Sequence, residues 1–88
     1  MSREEKWNKL IQIAKKIKEK ITLSTLSTSD VDEFCKAWME WYETLPNEEK
    51  ETAIASFKFG VVKYSEVLEK VRKDFEFFKF LIEVLAEE

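Results

Sequence analysis

The stretch that decides the fold is residues 54–85, IASFKFGVVKYSEVLEKVRKDFEFFKFLIEVL. Within it Ile54, Val61, Leu68, Phe75 and Ile82 recur every seven residues. Phe57, Tyr64, Val71, Phe78 and Leu85 form a second series three residues further on. Two apolar series interleaved in this way are the a/d pattern of a helix that buries one seam. The pattern predicts one continuous helix from about Glu48 to Ala86. Gly60 weakens that helix by roughly 1 kcal/mol relative to Ala but leaves its phase intact. The alternative is a break between Gly60 and Ser65.

Working outward, the segment before it reads as two shorter helices. Trp7, Leu10, Ala14, Ile17 and Ile21 alternate at spacings of three and four, the stripe of an amphipathic helix over about Arg3–Ile21. Ser2 with Glu5 has the spacing of a capping box, in which a hydroxyl and a carboxylate each satisfy an orphan backbone N–H. Residues 22–29, rich in Ser and Thr, read as a loop, because these hydroxyls compete for backbone hydrogen bonds. Leu23 and Leu26 are expected to tuck against the bundle end. A second helix is expected from about Asp30 to Leu45, capped by Ser29 or Asp30, with Val31, Phe34, Cys35, Trp38, Trp41, Tyr42 and Leu45 on its apolar face. Pro46 stops it, since the residue before proline is pushed out of the α region. Asn47 then caps the next helix.

Composition agrees. The 88 residues include one Gly and one Pro, far too few turn formers for an all-β domain. The expected fold is therefore all-α, a single-domain antiparallel helical bundle. It has three helices (about 3–21, 30–45 and 48–86), or four if the last breaks near Gly60.

Geometry sharpens this expectation. A helix of about 40 residues is roughly 60 Å long, twice the reach of the first helix. A three-helix bundle would leave the Phe-rich end of the long helix in water, and an apolar patch of that size marks an interface. The sequence therefore predicts a homodimer through the C-terminal helix, with Phe75, Phe77, Phe78, Phe80, Leu81, Ile82 and Leu85 at the interface. Phe77, Phe80 and Leu81 lie off the main seam and widen it.

The chemistry available is narrow. There is no His and only one Cys, Cys35. General-base triads, Cys-His pairs and the commonest zinc ligand sets therefore cannot be written. One Gly excludes the glycine-rich phosphate loops. The acidic groups Asp30, Asp32 and Glu33, and Glu48, Glu49 and Glu51, sit where helix N-termini favour negative charge. We expect no catalytic residue, no cofactor and no metal site. With no apolar leader, no spanning run and a lone Cys, a cytoplasmic protein is expected. The Lys- and Glu-rich, Gln-poor composition is thermophile-like.

Charge is uneven. Net charge is −3, yet residues 1–20 carry seven Lys or Arg against three Glu. Lys6, Lys9, Lys15, Lys16 and Lys20 are the candidate nucleic-acid contacts. The sequence thus points first to a small, non-enzymatic protein–protein interaction module or accessory subunit of a larger complex. The alternative is a nucleic-acid-associated accessory factor of a replication, transcription or defence complex, archaeal or viral in origin.

Overall fold

The structure is a computed structural model and describes residues 2–88. Its elements in order are α1 (Arg3–Thr22), α2 (Thr28–Tyr42), α3 (Asn47–Lys50), β1 (Ala53–Ser56), β2 (Gly60–Lys63), a 3-10 turn (Tyr64–Glu66), α4 (Val67–Lys73) and α5 (Phe75–Ala86). Helices dominate, but the fold is not the all-α bundle the sequence predicts. β1 and β2 form an antiparallel hairpin inside the segment expected to be one helix. The expected helix over 48–86 is replaced by α3, the hairpin, α4 and α5.

α1 follows its pattern. Ser2 accepts a hydrogen bond from the Glu5 N–H at 3.2 Å, and Leu10, Ile11, Ile13, Ala14 and Ile17 are buried. The helix closes with Ser24 at φ 58, a left-handed conformation usually left to Gly or Asn. The Ser24 and Thr25 N–H groups then reach back to the carbonyls of Ile21 and Lys20, at 3.1 and 2.9 Å. These are the two bonds of a Schellman motif. This sharp exit leaves Leu23 exposed, not tucked as expected, whereas Leu26 packs against the core.

The cap of α2 lies earlier than its expected place at Ser29 or Asp30. Ser27 caps it, and Asp30 completes a reciprocal capping box by accepting the Ser27 N–H at 3.0 Å. Asp30 also meets Lys20 of α1 at 2.7 Å, tying the start of α2 to the end of α1. The Lys20 ammonium and the Ser27 N–H hold its carboxyl at about 2, below its usual 3.8. Pro46, not Asn47, occupies the cap of α3.

Two features break the expected long helix. The first is the hairpin. The second is Asp74, extended at φ −133 and ψ 101, which ends α4 and caps α5 by accepting the Phe77 N–H. These breaks fold the Phe-rich segment back onto the rest of the chain. α5 packs on α1, and α1 on α2. The molecule measures 37 × 32 × 21 Å, well short of a 60 Å rod. Phe77, Phe78, Leu81, Ile82 and Leu85 all enter the core, each contributing roughly 1.5–3 kcal/mol by burial. Phe34 of α2 meets Phe78 edge-on, with centroids 5.4 Å apart.

Candidate functional site

The hairpin has local causes. Ile54, Val61 and Val62 are β-branched and favour extended backbone. Gly60 takes φ +70, which closes the Phe57–Phe59 loop at little steric cost. The Ser56 hydroxyl accepts the Phe59 N–H at 3.0 Å. Phe59 then anchors the loop on α5, its ring 5.4 Å from those of both Phe77 and Phe80. Lys58 reaches Glu76 at 3.6 Å.

Register decides what the hairpin shows to solvent. Ile54 stands opposite Val62, and Ala55 opposite Val61. Ile54 and Val62 face the core; Ala53, Ala55, Val61 and Lys63 face outward. The Tyr64 N–H donates to the Thr52 carbonyl at 2.9 Å, which sets the alternation of the ladder. Ile54–Val62 is consequently a hydrogen-bonded pair, and Val61 and Lys63 turn their backbone N–H and C=O groups away from β1. Among the described residues the sheet has two strands only, so these groups lie on an open edge. A cleft of about 360 Å³ borders that edge, walled by Glu66, by α4 residues Glu69, Lys70 and Lys73, and by Asp74. At the hairpin tip, Phe57 is as exposed as in an extended chain, and Val61 is 72% exposed.

A second feature lies at the hairpin base. Trp38 and Trp41 of α2 and Tyr64 of the 3-10 turn have centroids 5.0, 5.5 and 5.7 Å apart, with planes inclined at 63°, 82° and 57°. Trp7 of α1 packs on Trp41 at 4.9 Å. These four rings, with Ile54, Phe80, Leu81, Val84, Leu85 and Glu88, line a cleft of about 180 Å³. Burial and the Glu49 carboxylate both push the Tyr64 phenol up.

The residues expected at a self-interface are mostly inside. Phe77, Phe78, Leu81, Ile82 and Leu85 are at most 5% exposed. Phe80 is half-buried against the core, and Phe75 alone is largely exposed. Their partner is the chain's own α1 and α2, because the break at Asp74 lets α5 fold back. The expected nucleic-acid contacts are dispersed. Lys9 pairs with Glu40 at 3.7 Å and Lys20 with Asp30. Lys6 is half-buried, and Lys15 and Lys16 are exposed. Of the acidic groups, Asp32 meets Arg72 at 3.1 Å and Glu49 meets Arg3 at 2.6 Å. Cys35 is buried, which raises its thiol.

Sequence reasoning missed Phe57 and Val61 as surface groups. The signal was present as a Gly following Ser-Phe-Lys-Phe, flanked by β-branched residues, which is a hairpin signature. Comparisons with protein-family models, curated proteins and solved structures find no match. No helix among the described residues is long and apolar enough to cross a membrane.

Proposed function

We propose that the chain is a non-enzymatic protein-interaction module, an accessory subunit that takes an extended segment of a partner protein onto the outer edge of β2. The observation that carries this is the open β2 edge beside a fully exposed Phe57. Unpaired N–H and C=O groups on a strand edge are a template for another strand. A large exposed aromatic next to them supplies the apolar anchor that dominates small interfaces. Lys58 of the hairpin is paired with Glu76, and Glu66, Glu69 and Asp74 line the bordering cleft beside Lys70 and Lys73, so the segment the hairpin suits is defined by apolar side chains at alternate positions and not by net charge. Of the seven residues first expected to form a self-interface, only Phe75 and Phe80 offer accessible apolar area, so the docking surface belongs on the hairpin.

The test is selection from a random-peptide library on the intact protein, followed by affinity measurement. Peptides with alternating apolar residues should be enriched. Phe57→Ser and Val61→Pro should each weaken them at least tenfold while the helical circular dichroism stays unchanged. Val61→Pro is chosen because its N–H lies on the free edge, so proline spares the ladder to β1. Enrichment of nothing, or binding indifferent to both substitutions, overturns the proposal. A dimer in light scattering that Val61→Pro dissolves would replace the partner segment with a second copy. The nucleic-acid reading rests on Lys6, Lys9, Lys15, Lys16 and Lys20, of which Lys9, Lys15 and Lys16 are exposed, and it predicts binding that falls steeply with salt; apolar strand addition does not.

A further inference from the structure

The cleft at the hairpin base has a chemistry that strand addition does not use. Trp38, Trp41 and Tyr64 pack on one another there at steep angles, and Trp38 is only 2% exposed, so a group seated in the cleft meets the ring surface of Trp7, Trp41 and Tyr64. Ring faces carry negative electrostatic potential, and a cation within about 6 Å of a centroid is attracted to it. Among the described residues the remaining walls are aliphatic or aromatic except for Glu88, and neither Lys nor Arg lines the cleft. At about 180 Å³ the cleft is below the roughly 300–1,000 Å³ of drug-sized sites, yet it accommodates a single compact head group.

We propose that Trp7, Trp41 and Tyr64, backed by the buried Trp38, form a cage for a quaternary ammonium group, with Glu88 as its counter-charge. The walls select against an unmethylated ammonium. That ion carries N–H donors that are strongly hydrated and would lose their partners against ring faces. A trimethylammonium group has no N–H to satisfy and spreads its charge over methyl surfaces that fit apolar walls. The site is separate from the β2 edge, so the two proposals stand or fall independently.

Choline and its carbon isostere, in which an uncharged tert-butyl group replaces trimethylammonium, separate charge from shape. Each is titrated into the full chain while tryptophan fluorescence and the ligand methyl proton shifts are followed. Choline should give saturable quenching and upfield methyl shifts, with affinity at least about fivefold above the isostere. Glu88→Gln, at an exposed position, should weaken choline severalfold and leave the isostere unchanged. Tyr64→Leu should weaken choline more than the isostere. The half-buried Tyr64 is preferred to Trp41, which is 8% exposed and whose loss would endanger the fold. N-acetyl-trimethyl-lysine amide tests the source of the group: tighter binding than choline assigns a methylated side chain, weaker binding a free small molecule. Phe57→Ser and Val61→Pro should leave every one of these affinities in place. Equal affinity for choline and the isostere overturns the proposal, as does the absence of saturable binding by a folded chain.

Discussion

Phe57 and Phe78 belong to the same apolar series, three intervals of seven apart, yet one lies wholly in water and the other is 1% exposed. The difference is the backbone between them. Around Phe78 the chain is helical, so a spacing of seven returns to one face. Around Phe57 it is a hairpin, where successive residues alternate faces and an interval of seven changes sides. Ile54 and Val61, seven apart, show this directly, one facing inward and the other outward. Apolar periodicity identifies a buried face only once the backbone that carries it is known.

That contrast can be tested at both ends. Phe78→Ala should have the largest effect, a loss of about 3–5 kcal/mol seen in chemical denaturation, because it opens a cavity between α2 and α5. A loss near zero would mean that α5 does not pack as described. Gly60→Ala comes next, at about 1 kcal/mol. Nothing lies within 4 Å of an added Cβ, so the cost is conformational, and Gly60→Asn should recover part of it. Equal stability of all three would remove the left-handed turn and with it the hairpin.

Acid provides a directional effect on the helical side. Asp30 has its carboxyl depressed to about 2 in the folded chain, so the unfolded chain binds the proton more readily. Its contribution is fully present above the ordinary carboxylate range. It fades as pH falls from about 4 to about 2, and α2 should fray from its N-terminus. Asp30→Asn should flatten this part of the pH–stability curve; an unchanged curve would remove the Lys20–Asp30 tie. Phe57→Ser should do least, within about 0.5 kcal/mol, while weakening peptide binding at the β2 edge at least tenfold. A large loss of stability would show that Phe57 packs in the folded chain and is no docking group.

Legibility in the sequence divides along the same line. α1 was readable almost residue by residue, because Ser2 and the stripe from Trp7 to Ile21 are local signals. α2 was readable apart from its cap. Serines at 24, 27 and 29 all suit a turn, and only the placement of Lys20 beside Asp30 selects Ser27. The candidate site was the least legible part. The pairs that make it, Ala55 with Val61 and Trp7 with Trp41, depend on register and on helix packing. The residues that looked most like an interface, Phe77 to Leu85, looked so because their true partners in α1 and α2 are distant in sequence.

By itself the sequence determined that α1 and α2 are amphipathic helices joined by a short loop, and that the Phe-rich end requires a cover. Those statements follow from composition and from side-chain spacings within one or two turns. Only the tertiary structure decided that the cover is the chain's own α1, and that residues 53–63 leave the helical pattern. A two-stranded hairpin of this length is marginal alone. It persists here because Ile54, Phe59 and Val62 find the core made by α5 and the aromatic cluster, and that gain exists only once the helices have come together.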